Sequence, residues 1–267
     1  MYGRVLFMEK KTVSIRGIKI GAGKCLVCVP VTAANRKELE EALNRLAAAP
    51  DTSWDMAEWR ADYYEGIRDP EQMKDALKML RSALGEKPFL FTYRTKNEGG
   101  QGEMTGSGYR HLLLAAAASA LVDLVDVELF TAGSNAQVLV GELHLLGTAV
   151  IGSSHDFTRT PSQKEMLSRL LCMQELGMDI TKLAVMPEDR SDVVRLLDIA
   201  AQMEDQYGDR PCVTMAMGPL GVLSRVSASL TGNAISFGTI GAQSAPGQLP
   251  ADRLCQVLEW LEPVPKR

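Results

Sequence analysis

Short apolar segments alternate with longer amphipathic segments along almost the whole chain, and this alternation is the strongest constraint on its fold. Eight strand-like runs are predicted, each followed by a helical run. The strand-like runs cover residues 25–29, 55–60, 89–93, 124–127, 149–153, 183–186, 212–215 and 235–237, and the helical runs cover residues 36–48, 71–84, 109–120, 136–146, 163–175, 191–203, 221–229 and 251–261. Strands that alternate with helices form parallel sheets, so the pattern predicts an α/β fold.

Eight such units in about 235 residues are typical of a closed (β/α)8 barrel, the TIM barrel. We therefore expect one domain over residues 1–267, although this length also allows two doubly wound domains. The sequence has no Pro/Ser-rich linker near its middle and no GxGxxG after a predicted strand, which favours the barrel. Residues 12–15 and 18–20 flank Arg16 and Gly17. They predict a hairpin, within an extension over residues 1–24, across one mouth of the barrel.

Charge and cysteine content exclude several classes of function. The chain has 29 Lys and Arg against 33 Asp and Glu, a net charge of −4, and it has no basic run for nucleic acid or an anionic membrane surface. No apolar stretch approaches the length of a membrane span, so a cytoplasmic protein is predicted. The five cysteines are scattered, which is typical of reduced thiols. Cys25 and Cys28 fall on opposite faces of a predicted strand, so they do not predict a metal site.

Polar residues at the carboxyl ends of the predicted strands are the first candidates for function, because barrels of this type form their active sites there. Glu58, Arg60 and Asp62 end the second strand, where alternation would place a carboxylate and a guanidinium together in the barrel mouth. A surface ion pair at the strand end is the alternative. Arg94 ends the third strand and precedes a glycine-rich loop that contains Glu98.

His155 and Lys182 are the candidates for proton transfer and covalent chemistry. His155 ends the fifth strand, where an imidazole can act as a general acid and base or serve only as a structural hydrogen-bonding group. Leu183 and Val185 take the outer, helix-covered face of the sixth strand, so Lys182 points inward. A buried ammonium needs a counter-charge or a lowered pKa, and a neutral amine can form an imine with a ketone. The alternative leaves the amine in solvent at the strand entrance.

Two late segments complete the set of candidates. Arg225 follows the seventh strand and is predicted to lie early in a helix, where a guanidinium and a helix N-terminus could hold an anionic group. Residues 244–248, Ser-Ala-Pro-Gly-Gln, have the composition of a lid or a tight turn. Because this segment has little side-chain area to anchor it, we expect it to be mobile until a ligand binds.

These motifs occur together on the eightfold repeat. In chain order they are Glu58-Trp59-Arg60-Ala61-Asp62, Phe91-Thr92-Tyr93-Arg94, Glu98-Gly99-Gly100, Ser154-His155-Asp156-Phe157, Lys182-Leu183-Ala184-Val185-Met186-Pro187, Ser224-Arg225 and Ser244-Ala245-Pro246-Gly247-Gln248. The set resembles the type I 3-dehydroquinate dehydratases, the Schiff-base-forming enzymes of the shikimate pathway, over nearly the whole chain from Cys25 onward. The resemblance implies dehydration of 3-dehydroquinate to 3-dehydroshikimate by syn elimination of water, and a homodimer. It also implies that the N-terminal hairpin closes the base of the barrel.

The resemblance also implies a role for each motif residue. Lys182 would form the imine with the C3 ketone, and His155, oriented by Glu98, would remove a C2 proton and protonate the departing C1 hydroxyl. Arg225 would bind the substrate carboxylate. The remaining residues would hold ring hydroxyls or close over the substrate: Glu58, Arg60, Arg94, Ser244 and Gln248. The small-molecule substrate is the expected ligand, and neither a metal nor an organic cofactor is implied.

Two other functions fit parts of the pattern. A class I aldolase shares the barrel and a lysine on the sixth strand, but it would need a phosphate cradle in the late loops, for which residues 244–248 look wrong. A non-catalytic barrel that binds quinate or shikimate would have no need of an imine-forming lysine paired with a base. A turnover assay separates this last alternative from an enzyme.

Overall fold

The computed structural model describes residues 10–241 and 244–262. Residues 1–9 of the predicted extension lie outside the described residues, as do residues 242, 243 and 263–267. The strands are β1 (Val13–Ile15), β2 (Ile18–Ile20), β3 (Leu26–Val31), β4 (Met56–Arg60), β5 (Phe89–Thr92), β6 (Leu124–Glu128), β7 (Ala149–Asp156), β8 (Ile180–Val185), β9 (Cys212–Ala216), β10 (Ile235–Thr239) and β11 (Leu249–Pro250). The helices are α1 (Arg36–Ala48), α2 (Pro70–Leu84), α3 (Gly106–Ala118), α4 (Leu129–Ala132), α5 (Ala136–Leu145), α6 (Gln163–Glu175), α7 (Arg190–Gln202), α8 (Val222–Val226), α9 (Ala228–Thr231) and α10 (Ala251–Leu261).

Strands β3 to β10 form a closed parallel barrel. Each of β3 to β8 pairs with the next strand along the chain, and β10 pairs with β3. Between β9 and β10, the Ala234 N–H donates to the Cys212 carbonyl at 2.9 Å. The Asn233 side chain joins the same two strands, because it accepts from the Thr214 N–H at 2.7 Å and donates to the Ile235 carbonyl at 3.1 Å. The (β/α)8 prediction is confirmed.

Alternation along the strands separates two apolar layers. The first layer lies between the sheet and the surrounding helices, and Leu183 and Val185 of β8 belong to it. The second layer fills the barrel interior, where Ala184 packs with inward side chains of the other strands. Cys25 and Cys28 fall in different layers, as their spacing predicts. In the described ranges no helix is long and apolar enough to cross a membrane.

The predicted hairpin is present and closes the amino-terminal end of the barrel. β1 and β2 pair antiparallel, with Ile15 opposite Ile18. Ile15 and Ile20 are buried against the interior layer. At the turn, the Arg16 guanidinium donates to Asp123, which lies directly before β6, at 2.8 Å. This contact fastens the tip of the hairpin to the base of the barrel.

Three predicted boundaries are wrong where the site is built. β7 continues to Asp156 and β8 begins at Ile180, because the two strands stay paired from Ile151 and Ile180 to Asp156 and Val185. The predicted helix over 221–229 is instead two short helices, α8 and α9, separated at Ser227. The Ser227 hydroxyl donates to the Ser224 carbonyl at 3.2 Å. This side-chain bond competes with the backbone bonds of a continuing helix.

Candidate active site

The structure brings all nine candidate residues together. Glu58 and Lys182 lie within β4 and β8, and the other seven lie near or beyond the carboxyl ends of the strands. Eight of the nine line one small cavity of about 40 Å³: Glu58, Arg60, Arg94, Glu98, His155, Lys182, Ser244 and Gln248. Arg225 lies beside this cavity, 3.5 Å from the carbonyl of Phe237, which also lines it. We call this space the central cavity. A larger, more open cavity of about 630 Å³ adjoins it and shares Glu98 and His155.

Lys182 lies inside the barrel with its amine among two carboxylates and an aromatic ring. Its side chain is 4% exposed, and Nζ lies 3.4 Å from Oδ2 of Asp126 and 3.7 Å from Oε1 of Glu58. The ring of Phe237 is 4.4 Å from the same nitrogen, a cation–π distance. The sequence left a counter-charge, a lowered pKa and a solvent-exposed amine as alternatives, and the structure shows counter-charges.

The backbone register brings Lys182 and His155 together. β7 and β8 pair so that Ser153 lies opposite Lys182 and His155 lies opposite Ala184. His155 is thus one same-face position further along the neighbouring strand than Lys182. The imidazole and the amine therefore enter the central cavity side by side.

Glu98 holds His155 through two hydrogen bonds. Its Oε2 lies 2.8 Å from Nδ1 of the imidazole and accepts the His155 backbone N–H at 3.0 Å. The glycine after it, Gly99, has φ of 79°, and a Cβ there would overlap the ring of Phe157. Glycine is thus required for this loop to pass under Phe157.

The electrostatic surroundings of this pair favour an uncharged imidazole. Burial, together with the charges of Arg94, Lys182 and Arg60, lowers the pKa of His155 well below its usual value. Burial also raises the pKa of Glu98 to about 8; Arg94 opposes this shift, and Glu128 adds to it. A neutral imidazole with Nδ1 fixed by a carboxyl group is suited to proton transfer at Nε2.

Arg60 and Asp62 form a buried ion pair. The strand ends at Arg60, and residues 61–63 form a 3-10 turn rather than continuing the predicted alternation. The turn still lets Asp62 accept from Nε and Nη2 of Arg60, at 2.8 and 2.9 Å. The Arg60 side chain is only 8% exposed, so the pair is not the surface ion pair of the alternative interpretation. Glu58, on the same strand, accepts from the Thr92 hydroxyl at 2.8 Å.

Arg94 is the centre of a buried group of carboxylates. Its Nη1 lies 3.0 Å from Glu128 and 3.5 Å from Glu98, and its Nη2 lies 2.8 Å from Asp126. Asp126, Glu128 and their neighbour Ser153 were not among the sequence candidates. The signal that could have found the two acids is β6 itself, Leu-Val-Asp-Val-Glu, where acidic residues alternate with the apolar residues of a buried strand.

Arg225 is a buried cation whose guanidinium contacts two carbonyl oxygens and, at 4.0 Å, the sulfur of Met215. Its guanidinium donates to the carbonyl of Pro246 at 3.1 Å, and no carboxylate of the described residues forms a salt bridge with it. Burial lowers the pKa of Arg225 to about 10, which leaves it protonated at neutral pH. The sequence placed Arg225 early in a helix, but it is the fourth residue of the five-residue α8. The charge is nevertheless available to an anionic group.

Residues 244–248 lie over the mouth of the central cavity. The Ser244 N–H donates to Oε1 of Gln248 at 2.9 Å, and Nε2 of Gln248 donates to the Ser244 hydroxyl at 3.1 Å. Arg60 donates to the Ser244 carbonyl at 3.4 Å, and Arg225 donates to the Pro246 carbonyl. The segment is therefore hydrogen-bonded to two guanidinium groups of the site. Gly247, with φ of 79°, passes so close to the Gly218 carbonyl that a Cβ would overlap it.

Comparison with known proteins identifies the family. The family model described as type I 3-dehydroquinase matches residues 27–264. The chain belongs to the type I 3-dehydroquinase family. It is therefore an enzyme of the hydro-lyase class. Within residues 10–241 and 244–262, no group of His, Cys, Asp and Glu side chains is arranged to hold a metal ion.

Relatives of this type I 3-dehydroquinase align with it along nearly their whole lengths. A 3-dehydroquinate dehydratase of Syntrophotalea carbinolica is 44% identical over 94% of this chain and 98% of its own. A 3-dehydroquinate dehydratase of Klebsiella pneumoniae is 41% identical over 93% of this chain and 98% of its own. The crystal structure of the type I 3-dehydroquinate dehydratase of Clostridium difficile with covalently modified comenic acid superposes with a TM-score of 0.88 at 38% identity, covering 94% of this chain and 98% of that one.

Proposed function

We propose that the protein dehydrates 3-dehydroquinate to 3-dehydroshikimate through an imine on Lys182, with His155 as general acid and base. Family membership and the names of its relatives support the reaction. The observation that carries the mechanism is the placement of an inward lysine and a carboxyl-held histidine side by side in one buried cavity. The crystal structure of the C. difficile relative contains covalently modified comenic acid, which supports covalent chemistry in this family.

The reaction begins when neutral Nζ of Lys182 attacks the C3 ketone. The carbonyl oxygen leaves as water with one hydrogen of the amine and one proton from solvent, and the carbon–nitrogen double bond of an iminium replaces the carbonyl. An iminium withdraws electrons better than a ketone, so the C2–H bond becomes acidic enough for a neutral imidazole. The electron pair of that bond moves to nitrogen and gives an enamine.

Elimination then returns the electrons and the proton. The enamine pair moves back through C2 and breaks the bond from C1 to its hydroxyl group. His155 gives the proton that it took from C2 to this hydroxyl group, which leaves as water. Hydrolysis of the product iminium releases 3-dehydroshikimate and restores Lys182. The net change is loss of one water molecule, so no oxidant or reductant is needed.

The other candidate residues bind and enclose the substrate. Arg225 receives the substrate carboxylate, because its burial without a carboxylate partner leaves its positive charge for an anion. Glu58, Arg60 and Arg94 face the ring hydroxyls. Ser244 and Gln248 close over the ligand and exclude water from the iminium.

Absorbance of the conjugated enone product tests this function. Incubation with 3-dehydroquinate should raise the ultraviolet absorbance with repeated turnover, and the Lys182→Met variant should give no rise. A protein that binds the substrate without any rise would be a binding barrel, and cleavage of a carbon–carbon bond would indicate an aldolase. Either result would contradict the proposal.

The proposal includes a homodimer that acts in the shikimate pathway, as the resemblance to the family implies, and the cytoplasmic location that the sequence predicts. Light scattering tests the homodimer, which should give twice the 29.1 kDa of one chain. A mass of one chain at micromolar concentration would contradict it.

A further inference from the structure

Asp126 connects Lys182 to the rest of the buried charge network. It is 1% exposed on β6, and its Oδ2 lies 2.8 Å from Nη2 of Arg94 and 3.4 Å from Nζ of Lys182. Its Oδ1 accepts from the Ser153 hydroxyl at 2.6 Å. Both oxygens are thus fixed, by groups on the loop after β5 and on β7, so the carboxylate has little freedom to rotate.

The same network continues to His155. The other terminal nitrogen of Arg94, Nη1, lies 3.5 Å from Oε2 of Glu98, and this oxygen contacts Nδ1 of His155 at 2.8 Å. Lys182, Asp126, Arg94, Glu98 and His155 therefore form one continuous series of charged and hydrogen-bonded contacts. The amine and the imidazole share a single rigid support.

We propose that Asp126 is a positioning residue for Lys182, and that Arg94 joins it to the support of His155. This inference rests on the proposed imine chemistry of Lys182. Asp126 holds the amine toward Phe237 and the cavity before the ketone arrives, and it offers the same counter-charge to the iminium that replaces the ammonium. The ammonium and the iminium are both cations, so a fixed carboxylate stabilises the nitrogen before and after imine formation.

Asp126 is suited to hold the lysine rather than to take its proton. Burial alone would raise the pKa of Asp126, but Arg94, Lys182 and the Ser153 hydrogen bond lower it below its usual value. The carboxylate therefore stays ionised at neutral pH. The proton that Lys182 releases must therefore go elsewhere, and the larger open cavity beside Glu98 and His155 gives it a path to solvent.

The test compares Asp126→Asn with Glu128→Gln. Both acids lie on the inner side of β6 and contact Arg94, but only Asp126 contacts Lys182. The other titratable or charged groups around the amine stay unchanged: Glu58 on β4, Arg60 at its end, Arg94 after β5, His155 on β7 and Cys28 on β3. The readout is the rate of covalent trapping on Lys182 by substrate and borohydride, measured as a function of pH.

Asp126→Asn should move the midpoint of this pH profile down by about one unit, because an ammonium without its nearest counter-charge loses its proton more readily. The maximal trapping rate should fall about tenfold, because the amine is no longer held. Glu128→Gln should leave the midpoint unchanged. An unchanged midpoint in Asp126→Asn, with normal trapping in the wild type, would overturn this inference alone. Absence of trapping in the wild type would instead contradict the proposed function.

Asp126→Glu gives the answer if the asparagine variant does not fold. This variant keeps the negative charge but displaces it by one methylene group. We expect the wild-type midpoint with a slower trapping rate, and a wild-type rate would overturn the positioning role.

Discussion

Oε2 of Glu98 binds both the Nδ1 atom and the backbone N–H of His155, at 2.8 and 3.0 Å. One carboxyl oxygen therefore fixes the imidazole ring and the strand that carries it. The ring cannot turn about its Cβ–Cγ bond without breaking the first of these contacts. Nε2 is thereby the atom presented to the substrate, which is the geometry required of a general acid and base.

Replacement of His155 separates imine formation from proton transfer. His155→Ala should still form the adduct on Lys182, but turnover should fall about a hundredfold to ten-thousandfold because the general acid and base is lost. Steady-state absorbance and adduct mass provide the two measurements. His144, a half-exposed residue bonded to Asp179 on the outside of the barrel, offers a matched control, and His144→Ala should keep wild-type turnover. Near-normal turnover in His155→Ala would require another base, with Glu98 the first candidate.

Glu98 should make the stability of the protein depend on pH. Because burial raises its pKa from 4.5 to about 8 in the folded state, the folded protein binds a proton that the unfolded chain releases at lower pH. The stabilising effect of this proton is complete below pH 4.5 and is lost as pH rises to about 8. Glu98→Gln imitates the protonated side chain at every pH. It should match the wild-type melting temperature near pH 5 and exceed it by a few degrees above pH 8. Equal melting temperatures at both pH values would show that Glu98 titrates normally.

The segment over residues 244–248 should open for the substrate to enter. The central cavity, about 40 Å³, is far smaller than the roughly 300 Å³ or more of typical ligand pockets. We therefore expect amide exchange in peptides over 244–249 to slow when product binds. Equal protection with and without product would show a rigid turn instead of a lid.

Gln248 should matter to the ligand and little to the unliganded fold. Gln248→Ala removes the amide that bonds to Ser244 across the segment, so the closed position should be weaker. We expect a higher KM, a lower kcat and a nearly unchanged melting temperature. A large loss of thermal stability would mean that the residue supports the barrel itself.

The sequence predicted side-chain directions, because these depend only on alternation within one strand. Leu183 and Val185 fix the outward face of β8, so the inward direction of Lys182 followed from the sequence alone. The partner of Lys182 did not follow, because Asp126 reaches it only through the relative register of β6, β7 and β8. The break between α8 and α9 was also missed, since it depends on local side-chain bonds of Ser227.

Borohydride trapping tests the central claim most directly. Reduction in the presence of 3-dehydroquinate or its product should fix one adduct and inactivate the enzyme, because an iminium is reduced while a ketone bound without a covalent bond leaves no adduct on the protein. Peptide mass analysis should place the adduct on Lys182, and Lys182→Met should carry none. Lys87, which packs on Trp54 outside the site, serves as an internal control and should remain unmodified. An adduct on any other lysine, or full turnover with no adduct at all, would contradict the imine mechanism.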